Sequence, residues 1–452
     1  MRVKPRSPPA LLLFLLAAGN TLLATAFLIL ERPSTNATAR RSLFFPSTFD
    51  EADQRFPISH PHQFIQAGPN DHRGPCPGLN SLANHGFISR SGVDTFLNIV
   101  KASNEVYRMG ISASAAAGVL GLFGGNLLDP TLPISIGEQP NNVGLTGILG
   151  GILGMWCLHP ALANDSGYSE VVAPPSGLTN THNQFEGDAS LTRCDLYICN
   201  DSHTLQPKYL QPLLDLYAAD SNITNSVALV SKHHANRIAN SIANNGLFFF
   251  GPVQMIVGAF TALQAPSLFA NYSAEHPEGI MSVEGLMSIY GATRSPDGML
   301  TWTRGSERIP DIYYRRPAAL LYQWDLPIIL PQVLEMWTLY PETLSLGGNL
   351  GQRNTFFPLD LGAFTHGAYS LDDLRQPDGM NLICFVYQLV QILLPDLLGN
   401  VNDLLATVLT EVGQLTNGVL GTFICPRPMG SVDMTMLDKY PGWVKSKKKM
   451  LK

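Results

Sequence analysis

The run Arg73-Gly74-Pro75-Cys76-Pro77-Gly78-Leu79-Asn80 sets one cysteine between two prolines. Proline suits the first position of a helix, because its φ is fixed near the helical value and its missing N–H is not needed there. Cys76 then falls at the N-cap. The free N–H groups of the next residues and the helix dipole point at its sulfur and favour thiolate over thiol. A thiolate held in this way is a strong axial donor for a haem iron. A half-cystine or a buried loop thiol also fits a lone Pro-Cys-Pro. A second run, Phe185-Glu186-Gly187-Asp188-Ala189-Ser190-Leu191-Thr192-Arg193, brings a carboxylate, a backbone carbonyl and a hydroxyl within five residues. Glu186, the Gly187 carbonyl and Ser190 offer three oxygens to one small cation. Magnesium suits such a set, since it accepts few protein oxygens and keeps waters or anionic partners. The alternative is that Asp188 N-caps a helix running through Leu191.

The elements that must position these groups read as helices. Over residues 79–110, Val93, Phe96, Leu97, Val100 and Ala102 recur near helical spacing. Residues 112–128 are dominated by Ala, Gly and Leu, small enough for a helix to approach a flat cofactor or a neighbour closely. Residues 143–158 form a second Gly-rich apolar run, with Gly147-xxx-Gly151 and Gly150-xxx-Gly154. That run is short for a bilayer span, which favours a buried or interfacial helix. Further helices are expected over 205–219, 226–245, 278–292, 316–340 and 381–421. Period-2 alternation is scarce, and no repeat is evident. The expected fold class is mainly α, in a single large helical domain with few short strands. That domain covers 71–430. A linker or pro-segment over 32–70, rich in Pro, Ser, Thr and His, precedes it, and a basic C-terminal tail over 431–452 follows, its lysines solvated.

Composition sets the compartment. Apolar residues make up 45% of the 452, enough for a sizeable core, and charged residues only 14%, against an average near ~25%. A net charge of −6 gives no nucleic-acid footprint. Arg2, Lys4 and Arg6 precede an apolar run over 9–30, closed by Glu31-Arg32. This is the pattern of a secretory signal, with a weak cleavage option at Ala24-Thr25-Ala26. The run also has about the ~20 residues of a membrane span, so it serves equally as a retained signal anchor. Positive-inside logic puts the main body in the lumen or outside the cell. Sequons at Asn36, Asn164, Asn200, Asn222 and Asn271 agree with a secretory route, ending in a secreted or membrane-anchored glycoprotein. An oxidising compartment permits disulfides. With Cys76 as a metal ligand, Cys157, Cys194, Cys199, Cys384 and Cys425 remain. That number is odd, so at least one further thiol is free or pairs between chains. Cys384 with Cys425 is the first pair to consider, and Cys194 with Cys199, in a tight local loop, the second. No Gly-x-Ser-x-Gly elbow, His-Glu-x-x-His helix, Walker loop or zinc-type Cys-x-x-Cys is present.

The Cys76 run continues as Ser81-Leu82-Ala83-Asn84-His85-Gly86-Phe87 to Arg90-Ser91-Gly92. Together with Asn80 this resembles the signature of the haem-thiolate peroxidases, the family of fungal chloroperoxidase and the unspecific peroxygenases. The Phe185–Arg193 run resembles that family's second motif. Arg308-Ile309-Pro310 to Tyr314-Arg315-Arg316-Pro317 resembles a third, and Gly347-Gly348-Asn349-Leu350-Gly351 with Asn354, Phe356 and Asp360 a fourth. The resemblance spans roughly residues 71–430. It implies haem b on Cys76, with Asn80 and Phe185 beside the cofactor and Phe185 near the distal face. It implies magnesium (or manganese) on Glu186, the Gly187 carbonyl and Ser190 beside a haem propionate, and a Cys384–Cys425 disulfide as in larger members. It implies hydrogen peroxide as oxidant and a small organic substrate that is oxidised, hydroxylated or halogenated, in keeping with secondary metabolism.

Peroxide cleavage also needs a distal acid–base. Larger members use an Arg followed two turns later by a Glu. The best match is Arg237, and the carboxylate position then holds Asn244, whose amide is no base near neutral pH. Another carboxylate approaches, or a histidine substitutes (His233, His234 or His182), or fast turnover is lost. The last case describes a haem-binding secretory protein with weak or no peroxide turnover. Arg237 serves equally as a structural ion-pair partner, and each histidine as an ordinary helix or surface residue.

Overall fold

The computed structural model describes residues 49–450 except 57, 111–112, 115–132, 139–176, 180, 184–185, 221–225, 320–321, 377–378, 380, 383, 387, 390–391, 393–424 and 426. The apolar run over 9–30 proposed as a membrane attachment, the small-residue stretches, Cys157 and Phe185 therefore lie largely or wholly outside the described residues. Among the described residues no helix is long and apolar enough to cross a membrane.

The fold is mainly α. Its longer described helices are α1 (Pro77–Asn84), α2 (Phe96–Tyr107), α3 (Pro207–Ala219), α4 (Ser226–Asn244), α5 (Pro252–Leu263), α6 (Val283–Tyr290), α7 (Leu326–Leu339) and α8 (Pro441–Met450). Three small antiparallel sheets join them. β1 (Val93–Thr95) pairs with β2 (Pro133–Ser135), and β4 (Ala292–Arg294) pairs with β5 (Leu300–Trp302). β6 (Gly347–Asn349) lies between β3 (Phe249–Phe250) and β7 (Phe356–Pro358).

The helix expected over 79–110 is two helices. The break spans residues 85–95 and includes Gly92, whose φ of 78° suits glycine and where a Cβ would lie 2.1 Å from the His72 carbonyl oxygen. Thr95 then caps α2, its Oγ1 accepting from the Asn98 amide at 3.2 Å. α4 sits centrally, against α3, α5 and α7. It presents Val230, His233, His234, Arg237, Ile238 and Ser241 to the interior. α5 gave no amphipathic signal in the sequence, being apolar on nearly every side, as befits a buried helix.

Among the described residues, both flanks of the helical domain differ from expectation. Residues 49–70 are not a bare linker: Gln54 and Phe56 are buried, and the Gln54 amide donates to the Tyr272 carbonyl at 3.0 Å. The C-terminal residues are not a solvated tail either. Tyr440 is buried, and the Tyr440 and Trp443 rings lie 5.5 Å from Phe249. Gly442 lets α8 come close, since a Cβ there would meet the Leu247 carbonyl oxygen at 2.0 Å. These few apolar anchors among lysines were too sparse to register as a periodic pattern.

Candidate active site

Cys76 is the N-cap of α1, with φ −90°, ψ 109° and Pro77 in the first turn. It is half-buried and is the free cysteine among the described residues. Burial pushes its thiol pKa up; the Gly78 and Leu79 amides and the Arg193 guanidinium oppose that rise. Asn80 holds the loop from behind. Its Oδ1 accepts from the Gly74 amide at 3.0 Å, and its Nδ2 donates to the Gly74 carbonyl at 2.9 Å and to Glu307 Oε1 at 3.0 Å. Arg73 forks onto Asn84 Oδ1 at 2.9 and 2.8 Å, tying the approach strand to the end of α1. Gly78 brings α1 onto Phe269, where a Cβ would stand 2.8 Å from the ring. The sulfur is thus fixed in place by backbone geometry and buried polar bonds.

Two charged groups near Cys76 carried no role in the sequence reading. Glu307 is buried, its second oxygen, Oε2, makes no hydrogen bond, and burial pushes its pKa up. It directly precedes the Arg308-Ile309-Pro310 motif, the only hint of it in sequence. Arg193, also buried, interacts electrostatically with Glu307, Tyr290 and Cys76. Its guanidinium stands 5.9 Å from the Tyr290 ring centroid. The positive charge favours a negative sulfur; the carboxylate disfavours it.

The second motif folds as a tight loop rather than the start of a helix. Asn183 (φ 67°) and Ala189 (φ 61°) are left-handed, and the Asn183 amide donates to the Glu186 carbonyl at 2.8 Å. Glu186 is buried, with Ser202 Oγ donating to Oε2 at 3.0 Å and His203 Nδ1 at 3.7 Å from Oε1. No group of three His, Cys, Asp or Glu gathers around a point among the described residues. A cation here would depend on carbonyl and hydroxyl oxygens, as the Gly187 and Ser190 assignment requires. No helix runs through Leu191 for Asp188 to cap, although its carboxylate takes a bond from the Leu196 backbone at the start of the short helix Leu196–Cys199. Its Oδ2 accepts from Asn245 at 3.1 Å, and that same Asn245 Nδ2 donates to Asp195 Oδ2 at 3.0 Å. Burial, then the Asp195 charge, pushes the Asp188 pKa well up.

The distal candidates do not form an acid–base pair. Arg237 is buried and its fork is occupied: Nε donates to the Ser190 carbonyl at 2.8 Å, and one terminal nitrogen donates to Asn240 Oδ1 at 2.8 Å. Its other terminal nitrogen reaches the Arg193 carbonyl at 3.3 Å and lies 3.8 Å from Asp195 Oδ1. The guanidinium also stacks 3.6 Å from the Tyr209 ring centroid. Asn244 is exposed at the end of α4 and donates to the Asn240 carbonyl at 2.9 Å. A seven-residue offset keeps the two on one side of α4, but Asn244 is the last residue of the helix, where that side has reached solvent, while Arg237 lies in the buried middle. His233 bonds the Leu191 carbonyl at 2.8 Å. Neither His234 nitrogen makes a well-formed hydrogen bond, although the Ala189 backbone faces the ring. Burial pushes both histidines down to about 4. His182 packs edge-on to Tyr197 at 5.1 Å, with Nε2 3.8 Å from Asp188 Oδ1.

Disulfides join Cys384 to Cys425 and Cys194 to Cys199. Of the sequons, Asn36, Asn164 and Asn222 lie outside the described residues, and Asn200 is exposed. Asn271 is half-buried, its Oδ1 accepts from the Tyr314 amide at 2.8 Å, and Tyr272 and Ser273 beside it are buried.

A free cysteine at a proline-started helix in a mainly helical domain, backed by a buried Asn–Glu clamp, is a donor that would suit a haem iron. The chain belongs to the haem-thiolate peroxidase family. A family model described as "Peroxidase, family 2" matches residues 62–318. The chain is 32% identical over 401 residues to the dothistromin biosynthesis peroxidase of Dothistroma septosporum, covering 87% of this chain and 88% of that protein. It is 32% identical over 384 residues to an aromatic peroxidase of Fusarium equiseti, covering 84% and 81%. It is 27% identical over 255 residues to an aromatic peroxygenase of Cyclocybe aegerita, covering 56% and 61%. As a member of this family the chain is an oxidoreductase.

Proposed function

We propose that this protein binds haem b through Cys76 and uses hydrogen peroxide to oxidise a small organic substrate, in the biosynthesis of a secondary metabolite. The observation that carries the reading is the geometry at Cys76: a free thiol at a helix N-cap, facing the Gly78 and Leu79 amides, with Arg193 in electrostatic reach. The bound haem supplies the iron centre at which peroxide is reduced. This chain's residues do the rest. Asn80 and Glu307 hold the Cys76 loop rigid, and Arg193 favours negative charge on the sulfur. Glu186, the Gly187 carbonyl and Ser190 would hold magnesium (or manganese), whose charge would offset a haem propionate. The family resemblance assigns Phe185, which lies outside the described residues, to the distal face. The biosynthetic role is supported by the name of the Dothistroma relative, and secretion by the signal pattern and the exposed Asn200. Peroxide-dependent oxidation of aromatic substrates by the haem-loaded protein, lost in Cys76→Ala, tests the reading.

A second reading rests on the occupied fork of Arg237 and the exposed Asn244. Without a distal acid–base from this set, the protein binds haem and turns peroxide over weakly. Robust turnover of the wild-type protein would sink that reading.

A further inference from the structure

The last helix lies far outside the stretch matched by the family model, which ends at residue 318. It nevertheless reaches the loop that carries Glu186. Asn183 Nδ2 donates to Ser446 Oγ at 2.5 Å across 263 residues of sequence, and both residues are buried. Ser446 Oγ in turn donates to the Gly442 carbonyl at 2.9 Å and lies 3.3 Å from the Tyr197 hydroxyl. Lys445 Nζ stands 4.5 Å from the Tyr197 ring centroid. From the other side, Gln254 Nε2 donates to the Asn183 carbonyl while Gln254 Oε1 accepts from the Gly251 amide. The left-handed Asn183 is therefore gripped by both its side chain and its carbonyl. Its amide is bonded to the Glu186 carbonyl at 2.8 Å, so the grip passes directly to Glu186.

We propose that Ser446 is a positioning residue for the candidate haem-edge site: α8 is a latch that holds Asn183 against Glu186. The function of the latch rests on the reading of Glu186 as the haem-edge cation ligand. A side chain on an irregular loop holds a ligand geometry only when its neighbours lock it. Here the lock is supplied by the chain's C-terminal residues. Gly442 and the Tyr440 and Trp443 anchors seat the helix, and Ser446 makes the contact. Without Ser446, Asn183 keeps its carbonyl bond but loses its side-chain tie, and the turn opens locally.

Hydrogen exchange and haem retention on the full-length, haem-loaded protein test this. In Ser446→Ala the amides of residues 181–188 exchange about five- to tenfold faster, the factor expected for one lost buried hydrogen bond, while those of α4 are unchanged. Haem transfer to an excess of apomyoglobin quickens by a similar factor, and magnesium slows it less than in wild type. Ser446→Thr, which keeps the hydroxyl, restores both. Asn183→Ala removes the same bond from the other side and covers the case in which a helix variant fails to fold. Unchanged exchange over 181–188 in both alanine variants, or equal loosening throughout the domain, overturns the proposal. If Ser446→Ala loosens the turn while Glu186→Gln holds haem like wild type, the latch stands and the Glu186 reading fails.

Discussion

Asn80→Ala tests the clamp behind Cys76. Asn80 is buried and makes three hydrogen bonds, two with Gly74 and one with Glu307. Each neutral bond contributes about 1 kcal/mol, and the bond to a carboxylate about 2 kcal/mol. The substitution strands a backbone amide, a backbone carbonyl and a buried carboxylate together, so the cost is about 4 kcal/mol. Urea unfolding of the full-length protein reads this as a lower midpoint at unchanged slope. Glu307 supplies an internal control. In a Glu307→Gln background no buried charge is left bare, and Asn80→Ala costs about 1–2 kcal/mol less. The reduced carbon-monoxide spectrum of Asn80→Ala carries a smaller thiolate-type fraction, because the loop no longer fixes the sulfur. A cost below about 1 kcal/mol with an unchanged spectrum would refute the clamp.

The histidines set an acid limit. His233 and His234 stay neutral in the fold down to about 4, against an ordinary 6.5. Between those values only the unfolded chain binds the protons, so stability is complete above 6.5 and falls with pH by about 1.4 kcal/mol per unit for each ring. His234→Leu halves that slope, as read by urea midpoints against pH, and leaves stability at neutral pH within about 1 kcal/mol; His233→Leu strands the Leu191 carbonyl and costs about 1–3 kcal/mol. Arg237→Lys cannot reproduce the occupied fork and lowers stability by about 2–4 kcal/mol, whereas Asn244→Ala changes stability by less than about 0.5 kcal/mol and peroxide turnover by less than about twofold. Replacing Cys384 and Cys425 by Ser, which opens a 41-residue link, costs about 4 kcal/mol in denaturant unfolding, against about 2 kcal/mol for the 5-residue Cys194–Cys199 link.

What the sequence made legible was local. Pro77 announced the helix start at Cys76, and α3 and α4 declared themselves by their apolar spacing. Order along the chain, in several motifs at once, carried the family. Residues whose role depends on distant partners stayed silent. Glu307 matters because Asn80 reaches it across 227 residues, and nothing in its own neighbourhood signals that. Ser446 sits among lysines that read as solvent-facing, and only the fold brings it to Asn183. Arg237 and Asn244, seven residues apart, share a side of α4, but spacing does not say that the end of the helix has run out into solvent. The alternative of Asp188 as a helix cap fits its local sequence, while its partners Asn245 and Phe249 lie beyond any local window.

Ligation of the haem iron by Cys76 underlies the whole of the proposed function. The most direct test is the carbon-monoxide difference spectrum of the reduced, haem-reconstituted protein, wild type beside Cys76→Ala. A thiolate-type band in the wild type that vanishes in the variant is the predicted result. A band that survives the substitution, or a wild-type spectrum of the histidine-ligated type, would contradict it.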